Sequence, residues 1–398
     1  MYLTKEEENI LNGNEGEMIS KLMKFIVEIG DSFGAEKLIE IVSAHTVLNI
    51  SLSFCSAAAE VLHRIAEAGL KVKVRTTADP VLDMDYAIEL ESVYSLFSMH
   101  DQVMEDLAKI GVHGFTCTPY YIDNKPKFGE HCAWSESSAV IYLNSVLGGR
   151  SNREGGILDV ACGILGKTPY HGLHITENRK GQILYKIHND IDTRDVFNLT
   201  SIGLIIGETA GHKIPVIDGL SQISTDQLKN LGSASASTGA VALIHIPGVT
   251  PEAKTMQEAL QNGKPEEIIE IEMKDLIEVG EKYSVEWTQP PKNICIGCPQ
   301  LSKEEVINLI KKLEGKKINK NLTFWICTIE DVKNFILNSD YRKILDASGA
   351  KISTICPTYI PPAKPTMTNS AKSCFYSPAT YRNMDECIRV ATEDWENE

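Results

Sequence analysis

The sequence has 398 residues, of which 43% are hydrophobic and 23% charged, as expected for a globular protein large enough for two or three domains. Its 54 acidic and 39 basic residues give a net charge of −15, which argues against nucleic-acid binding because that requires a basic surface. No apolar run approaches the ~18 residues of a membrane-spanning helix, and the first residues are too charged for a secretory signal. We therefore expect a cytoplasmic protein with no membrane contact.

The first predicted element is a helix beginning at Thr4, because Thr4 and Glu7 have the spacing of a capping box. Ser302 and Glu305 repeat that spacing. Apolar residues at helical spacing predict helices over residues 18–29, 57–68, 138–147, 252–260 and 304–313. Apolar, β-branched runs predict buried strands over residues 38–42, 72–76, 241–246, 323–327 and 352–356. This alternation predicts an α/β fold with mainly parallel sheets.

Four local patterns refine this picture. Thr250 and Pro251 predict the start of the helix over residues 252–260. Residues 172–176 and 182–187 predict a hairpin that interrupts the parallel pattern. The small residues 232–239 form either a loop or a helix end packed closely against a neighbour, and we expect the latter. The polar, proline-containing stretch 287–292 predicts a boundary between residues 1–288 and 289–398.

Three of the ten cysteines, Cys117, Cys298 and Cys356, stand one or two residues before a proline. Cys298 and Cys356 also follow predicted strands, and the carboxyl ends of parallel strands are where open α/β sheets bind ligands. Three thiolates meeting there could hold an iron–sulfur cluster that keeps one iron open. Such an iron acts as a Lewis acid, which helps hydroxide to leave a substrate.

Two other interpretations of these cysteines stay open at this point. A single thiol in an apolar strand is more often a structural core residue than a ligand. Cys295 and Cys298 also form a CxxC pair, which is typical of half a zinc site or of a redox pair. The corresponding hypothesis is a non-enzymatic zinc or redox metal-binding module.

A second group of polar residues surrounds the predicted helix over residues 138–147. Glu136 and Ser137 precede the helix, and Arg150, Asn152 and Arg153 lie in the glycine-rich stretch after it. Arginine side chains suit carboxylate or phosphate groups, and a carboxylate near a metal can transfer protons or orient a ligand. These residues indicate a small anionic substrate, with helix capping and surface ion pairs as the alternative.

Several longer strings resemble the signature of the aconitase X family. They are Cys117-Thr118-Pro119-Tyr120-Tyr121, Lys127-Phe128-Gly129-Glu130-His131, Trp134-Ser135-Glu136-Ser137-Ser138-Ala139, Asn144-Ser145-Val146-Leu147-Gly148, Ser151-Asn152-Arg153-Glu154-Gly155-Gly156, Gly297-Cys298-Pro299 and Thr368-Asn369-Ser370-Ala371-Lys372. The resemblance extends from Leu3 to Cys387. It implies an aconitase-like, multi-layer α/β fold and the activity of a hydro-lyase, which eliminates water from a hydroxy acid.

The resemblance also implies roles for individual residues. Cys117, Cys298 and Cys356 match the ligands of an iron–sulfur centre, with a 4Fe–4S cluster favoured and a 2Fe–2S cluster or a mononuclear iron also possible. Cys295 has no assigned role. Glu136 and Ser137 match a pair that holds the substrate, and we expect them to act in catalysis by orienting the substrate or relaying protons. Lys372 and the loop of Asp79 and Pro80 match substrate-binding positions. With Arg150, Asn152 and Arg153, which their chemistry indicates, they form the predicted substrate-binding set.

Members of the family carry a swivelling β/α domain, either fused or as a separate small subunit, which supplies a catalytic serine. No such domain fits after Cys387, so the resemblance implies a small-subunit partner and an isolated chain that is inactive. Split subunits and the loop at Pro80 favour 5-phosphomevalonate as the substrate.

Two departures from the family pattern favour cis-3-hydroxy-L-proline or another small hydroxy acid instead. Asp79 replaces a usual Asn, and Leu48-Asn49-Ile50 replaces a usual Gly-Val-Ser. Glycine allows backbone to approach an anion closely, whereas leucine does not. The altered loop also keeps open a third hypothesis, a scaffold subunit that has the fold but no substrate.

Overall fold

Helices and strands alternate along the chain, whose computed structural model describes residues 1–47, 56–83, 85–86, 99–359 and 365–393. Within these residues, the α-helices are α1 (Lys5–Leu11), α2 (Glu17–Ser32), α3 (Ser56–Glu67), α4 (His100–Ile110), α5 (Ser137–Tyr142), α6 (Gly156–Leu165), α7 (Val196–Ala210), α8 (Thr225–Thr238), α9 (Met256–Ala259), α10 (Met273–Tyr283), α11 (Lys303–Lys312), α12 (Glu330–Leu337), α13 (Tyr341–Ser348), α14 (Ala371–Tyr376) and α15 (Met384–Thr392).

The strands are short and mostly parallel. They are β1 (Leu38–Glu40), β2 (Ser43–Thr46), β3 (Arg75–Ala78), β4 (Cys132–Trp134), β5 (Lys167–Pro169), β6 (Ile183–Ile187), β7 (Pro215–Asp218), β8 (Glu267–Ile271), β9 (Asn293–Leu301), β10 (Thr323–Thr328), β11 (Lys351–Ser353), β12 (Thr366–Thr368) and β13 (Thr380–Tyr381). The predicted α/β class with mainly parallel sheets is confirmed. No helix in the described part of the chain has the length and apolar character needed to span a membrane.

The two capping boxes predicted from the sequence are confirmed. The Glu7 N–H donates to Thr4 Oγ1, and the Thr4 N–H donates to Glu7 Oε2 at 2.7 Å. Ser302 and Glu305 make the same reciprocal pair at the start of α11. Each cap satisfies backbone donors that the first helical turn leaves without partners, and such a cap contributes about 1 kcal/mol.

The chain forms two compact units. The first unit comprises the described residues of Met1–Asp79, Tyr94–Gly181 and Ala242–Lys264. It contains a parallel sheet in the order β3-β2-β4 and the antiparallel pair β1-β5. Side chains from α2, α3, α4 and α6 form its apolar core, with Ile26, Leu62, Leu107 and Val160 fully buried.

The second unit comprises the described residues of Pro80–Val93, Gln182–Val241 and Pro265–Glu398. It contains a five-stranded parallel sheet in the order β11-β10-β9-β12-β13 and a three-stranded parallel sheet in the order β7-β6-β8. The domain boundary predicted between residues 288 and 289 stays a prediction.

Helices α7 and α8 pack in close contact in the second unit. A Cβ atom added at Gly203 would lie 2.5 Å from Leu231 O, and one added at Gly207 would lie 2.5 Å from Ser235 O. Only glycine fits at such distances. The small-residue stretch 232–239 therefore forms a closely packed helix end, as expected from the sequence.

The predicted strand over residues 241–246 is wrong. The segment is extended, but side chains bond to it where a neighbouring strand would: Ser145 Oγ accepts from Ile244 N at 2.9 Å, and Asn144 Nδ2 donates to Ala242 O at 2.9 Å. The helix predicted from Thr250 is shorter than expected. It is α9, whose N-cap is Thr255.

The predicted hairpin is also wrong. Its first arm forms the 3₁₀ turns Gly172–His174 and Thr176–Arg179. Its second arm is β6, which pairs in parallel with β7 and β8. The turn residues bond to side chains from distant parts of the first unit, and such partners are invisible to a local sequence pattern.

Candidate functional site

Polar residues follow the carboxyl ends of β3 and β4 in the first unit. Asp79 comes directly after β3, and Glu136 lies two residues after β4. The Asp79 N–H donates to Thr46 O at 2.9 Å, and the Ser135 N–H donates to His45 O at 3.0 Å. Because the ends of β2, β3 and β4 meet at one edge of this sheet, the predicted site residues Asp79 and Glu136 lie along the edge where open parallel sheets bind ligands.

Glu136 is the N-cap of α5. Its Oε2 accepts hydrogen bonds from Ala139 N at 2.5 Å and from Ser138 Oγ at 2.6 Å, and its Oε1 lies 3.4 Å from the donating Ser137 Oγ. The residue is only 2% exposed. Helix capping, the alternative considered from the sequence, is therefore observed. The same contacts fix the carboxylate and place the Ser137 hydroxyl within its reach.

Asp79 faces a histidine across the same sheet edge. Its Oδ1 lies 3.5 Å from His45 Nε2, and both side chains are fully buried. The His45 ring is held from its other side, because Nδ1 lies 2.8 Å from Thr77 Oγ1. Pro80, the next residue in the chain, belongs to the second unit and is buried. The Leu48-Asn49-Ile50 departure lies outside the described residues.

Cys117 is buried in the first unit where an extended segment leaves β3. Thr116 N donates to Ala78 O at 2.8 Å, and Thr118 N donates to the Thr116 hydroxyl at 2.9 Å. The 3₁₀ turn Pro119–Tyr121 begins two residues after Cys117. Cys117 therefore lies between this paired segment and the 3₁₀ turn, a placement that the sequence did not predict for it.

Arg150 and Asn152 bond to the turns at residues 171–176. Arg150 Nη1 donates to His174 O at 2.9 Å and to Thr176 Oγ1 at 2.8 Å. Asn152 Oδ1 accepts from Leu173 N at 2.8 Å. Arg153 is exposed, and its backbone forms a parallel bridge with Trp134. Substrate binding by these three residues stays a prediction.

In the second unit, three predicted site residues lie toward the carboxyl ends of parallel strands. Cys298 lies near the end of β9, Cys356 follows β11, and Lys372 follows β12 in α14. The sequence predicts that a strand ends before Cys298, but β9 continues to Leu301. The chain bulges instead, since the register against β10 shifts between Ile326 and Thr328.

The bulge requires glycine at position 297. Gly297 has a φ of 111°, and a Cβ atom there would lie 2.2 Å from Cys327 O. Ser370 Oγ donates to Cys298 O, which joins the bulge to the segment before Lys372. The Gly-Cys-Pro and Thr-Asn-Ser-Ala-Lys strings noted in the sequence are therefore in contact in this unit, joined by the hydrogen bond from Ser370 to Cys298.

The thiols of Cys298 and Cys356 form a pair. Their Sγ atoms are 3.6 Å apart, and Cys298 Sγ lies 2.6 Å from Thr358 Oγ1. Burial raises the pKa of Cys298 well above its usual range, the Cys356 thiol raises it further, and the positive charge of Lys372 acts in the opposite direction. A cation bound beside these sulfurs would favour their thiolate forms.

Cys327 and Thr358 also belong to this group of side chains, although the sequence assigned them no role. Burial raises the pKa of Cys327 well above its usual range, and the thiols of Cys295, Cys356 and Cys298 contribute to that rise. No proline follows Cys327, so the pattern that marked the other cysteines could not identify it. Cys295 instead contacts the buried Tyr86 hydroxyl at 3.4 Å.

The donor set fits part of an iron–sulfur site. Two adjacent, buried thiols are the soft donors that iron–sulfur centres use. A group of three or more His, Cys, Asp or Glu side chains able to hold a metal ion is absent from the described residues. Cys298 and Cys356 therefore fit two of the three predicted ligands, and Cys117, the third, belongs to the first unit.

A cavity of about 220 Å³ lies beside Cys298 in the second unit. Gly297, Cys298, Pro299, Asn369 and Ser370 contribute to its wall. The cavity is large enough for several water molecules or a small polar group.

Nearly the whole chain matches models of one protein family. The first, second and third domains of aconitase X match residues 1–177, 181–281 and 291–393, respectively. A crystal structure of Thermococcus kodakaraensis aconitase X in its holo form superposes with a TM-score of 0.87 at 35% identity. The superposition covers 98% of the present chain and 100% of the chain in that crystal structure. The predicted fold of this family is therefore confirmed.

Curated large subunits share this similarity over nearly their full length, and a more distant relative shares it over about two thirds of its length. The phosphomevalonate dehydratase large subunit of Methanocaldococcus jannaschii is 35% identical over 95% of this chain and 96% of its own length. The phosphomevalonate dehydratase large subunit of Thermococcus kodakarensis is 36% identical over 100% of this chain and 98% of its own length. The cis-3-hydroxy-L-proline dehydratase of Pseudomonas aeruginosa is 27% identical over 94% of this chain and 66% of its own length.

Proposed function

This chain belongs to the aconitase X family, as predicted, and from that membership we propose that it is the large subunit of a dehydratase that eliminates water from 5-phosphomevalonate. Dehydration is the activity named for its curated relatives, including the more distant ones. The observation that carries the proposal within the molecule is the buried pair of Cys298 and Cys356 sulfurs, 3.6 Å apart.

We propose that Cys298 and Cys356, with Cys117 as the third ligand, hold an iron–sulfur centre, with a 4Fe–4S cluster favoured. When bound, such a centre supplies a Lewis acid for the departing hydroxyl oxygen. The ligand set rests on the family resemblance and on the chemistry of the two adjacent thiols. Burial and soft donor character both support it.

Chain residues would bind the substrate and handle its protons. Lys372 is buried beside Cys298, so its ammonium would attract an anionic group of the substrate. Glu136 is fixed by α5, and the Ser137 hydroxyl donates to it. These two side chains could therefore orient substrate or hold a proton at the sheet edge. Asp79, Pro80, Arg150, Asn152 and Arg153 complete the proposed substrate-binding set.

A separate small subunit would complete the enzyme. The relatives with the higher identity are named large subunits, and they span nearly the same length as this chain. The Pseudomonas relative, of which this chain spans about two thirds, is not named a subunit. Those names support a two-subunit enzyme, in which the partner would provide the catalytic serine expected from the family resemblance.

The substrate preference follows the pattern of identity. Relatives named for phosphomevalonate are 34% to 36% identical to this chain, whereas those named for hydroxyproline are 27% and 29% identical. Cis-3-hydroxy-L-proline remains the second candidate, because Asp79 adds a buried negative charge where the family usually has Asn. A carboxylate in that place would repel a phosphate.

The decisive experiment is an anaerobic assay of the chain co-expressed with its small subunit, using 5-phosphomevalonate and cis-3-hydroxy-L-proline in parallel. We expect water elimination from 5-phosphomevalonate only, and none from the large subunit alone. Turnover of hydroxyproline only would replace the proposed substrate. If iron is bound but neither substrate is turned over, the result would favour the scaffold hypothesis. If the protein contains zinc in place of iron and sulfide, the result would favour the metal-binding module.

The Asp79→Asn variant tests the phosphate assignment directly. Removal of the negative charge should lower the KM for 5-phosphomevalonate several-fold, because one repulsive contact with the phosphate is lost. Thr77→Ser, two residues earlier on β3, provides a control that changes no charge. An unchanged KM in Asp79→Asn would place the phosphate away from this residue.

A further inference from the structure

A row of buried titratable side chains crosses the first unit outside the residues assigned so far. His131 Nδ1 lies 3.0 Å from His174 Nδ1, and His174 Nε2 lies 4.0 Å from Glu154 Oε1. His174 is fully buried and Glu154 nearly so, whereas His131 is half-buried. The row therefore runs from a position accessible to solvent to a carboxyl group in the interior.

Hydrogen-bond chemistry requires the two histidines to share one proton. Neighbouring Nδ1 atoms at 3.0 Å need one N–H donor and one lone pair. If His131 donates, neutral His174 carries its proton on Nε2, which faces Glu154. If His174 donates, its Nε2 is an acceptor that can receive a proton from Glu154. When one proton enters His174 at Nε2 and another leaves from Nδ1, the ring changes from one neutral tautomer to the other.

The atoms at the inner end of this row have no other partner. Neither His174 Nε2 nor Glu154 Oε1 makes a hydrogen bond to any described residue. Buried polar atoms without partners are costly, so two of them facing each other at 4.0 Å indicate that a small side-chain movement brings them into contact. A proton passes most readily across such a contact.

The groups that face this row are a mixture of carboxyl, thiol and cationic side chains. Asp159 and Cys162 of α6 interact electrostatically with Glu154, and Asn152 acts to lower its pKa. Arg150, Arg179 and His171 face the histidines. Burial raises the pKa of Glu154 to about 7, and burial together with the neighbouring cationic groups lowers the pKa of His174 well below its usual range. Glu154 therefore exchanges between its protonated and charged forms near neutral pH, while His174 stays neutral.

We propose that Glu154 is a buried proton-holding site that exchanges its proton with solvent through His174 and His131. The exchange is balanced: Glu154 gives its proton to His174 Nε2, His174 gives its Nδ1 proton to His131, and His131 releases a proton to water. The Glu154 N–H donates to Trp134 O at 3.1 Å, two residues before Glu136. If the proposed function holds, the row supplies an exchangeable proton next to the edge that carries Glu136.

An elimination of water has a use for such a proton. The C–H and C–O bonds of the substrate break, and the C–H electron pair forms the double bond. The C–H proton passes to the base, the serine proposed for the small subunit, and the leaving hydroxide needs one proton to become water. A carboxyl group that is recharged from solvent can maintain that proton supply between turnovers. This role rests on the proposed dehydratase function, whereas proton holding and exchange do not.

The test uses the full chain without substrate. Infrared spectra recorded over a pH titration should show a protonated carboxyl group that titrates near neutral pH and is absent in Glu154→Gln. After a rapid pH jump, its deprotonation should slow about tenfold in His174→Gln and in His131→Gln. His171→Gln is the matched control, because His171 lies nearby but outside the row, and it should leave the rate unchanged.

Two results would overturn the proposal. One is a neutral-pH carboxyl signal that is as strong in Glu154→Gln as in the original chain, and the other is a rate in His174→Gln and His131→Gln equal to that in His171→Gln. If Glu154→Gln does not fold, carbon-13 NMR of the unaltered chain labelled at its glutamate carboxyls provides the decision. The absence of any glutamate carboxyl that titrates near neutral pH would then refute the proposal. Because no substrate is present, an inactive enzyme would not affect either readout.

Discussion

The sulfur atoms of Cys298 and Cys356 lie 3.6 Å apart, although 58 residues separate them in the chain. Strands β9 and β11 bring them together across β10, and the bulge at Gly297 turns Cys298 toward its partner's position. Both thiols are buried, and burial raises the pKa of Cys298 well above its usual range even though the positive charge of Lys372 acts in the opposite direction. This relationship makes the pair the best-defined part of the proposed metal centre.

Replacing either cysteine should therefore remove the metal. Cys298→Ala and Cys356→Ala are expected to lose iron and sulfide after anaerobic reconstitution, with metal affinity reduced by tenfold or more because a thiolate ligand is missing. Cys327→Ala is the matched control, since Cys327 is equally buried beside the pair but is not a predicted ligand. Iron and sulfide per chain are measured chemically, and circular dichroism checks the fold. Full iron content in Cys298→Ala would rule out its role as a ligand.

Lys372 should matter for substrate binding more than for the fold. Replacing it with Met removes a buried cation beside Cys298, so kcat/KM on the anionic substrate should fall about 10- to 100-fold, as expected for loss of a charged hydrogen bond. Lys372→Arg keeps the charge and should recover part of the loss. Lys282→Met, which removes a surface ion pair with Glu208, should leave the steady-state kinetics unchanged. Equal losses in Lys372→Met and Lys282→Met would remove the specific role of Lys372.

Arg179 is a buried hub of the first unit. Its Nε donates to both Glu252 oxygens at 2.8 and 2.9 Å, Nη1 donates to Asn144 Oδ1 and Leu173 O, and Nη2 donates to Asn144 O and Gly149 O. The side chain is almost fully buried. Arg179 therefore connects two parts of the first unit. One is the segment that leads from α5 to Arg150, and the other is the pair of 3₁₀ turns at residues 172–179.

Arg179→Met should destabilise the protein strongly, because it leaves Glu252 and several carbonyls without their donor. We expect a loss of about 3–5 kcal/mol in the free energy of unfolding, as for other broken buried ion pairs. Arg179→Lys keeps the charge but cannot reach all of these acceptors, so its loss should be smaller. Urea unfolding measures both. Arg194→Lys, at an exposed ion pair with Asp192, should change the midpoint very little. An unchanged midpoint in Arg179→Met would contradict the hub.

Glu154 should make the stability of the protein fall as pH rises. Its pKa is raised from 4.5 to about 7 in the folded chain, so between these values the folded state keeps a proton that the unfolded state has released. Stability is unaffected below the lower value, falls across the interval, and reaches its full loss, on the order of 3 kcal/mol, above the upper value.

The Glu154→Gln variant isolates this contribution. The variant should lack the decline while retaining the opposite contribution of His174, whose lowered pKa reduces stability as pH falls below its usual value. Unfolding free energies of the original chain and the variant, measured over about pH 5 to 8, should therefore diverge as pH rises. Parallel curves would show that Glu154 does not titrate in this range.

The sequence by itself determined the family, the α/β class and several local features. The capping boxes at Thr4 and Ser302 were predictable because their partners lie three residues away. The motif strings identified the cysteines, the Glu-Ser pair and Lys372 because side-chain identity alone carries that resemblance. The metal ligands and the substrate-binding residues among them stay predictions until they are tested.

Tertiary structure decided what depends on distant partners. Residues 241–246 resemble a strand, yet side chains of Asn144 and Ser145 take their backbone bonds. The 3.6 Å contact between Cys298 and Cys356 depends on strand order and on a bulge. The row from His131 to Glu154 likewise joins residues up to 43 positions apart. Hydrogen bonds and burial act across space without regard to separation along the chain, so only the folded molecule brings these groups together.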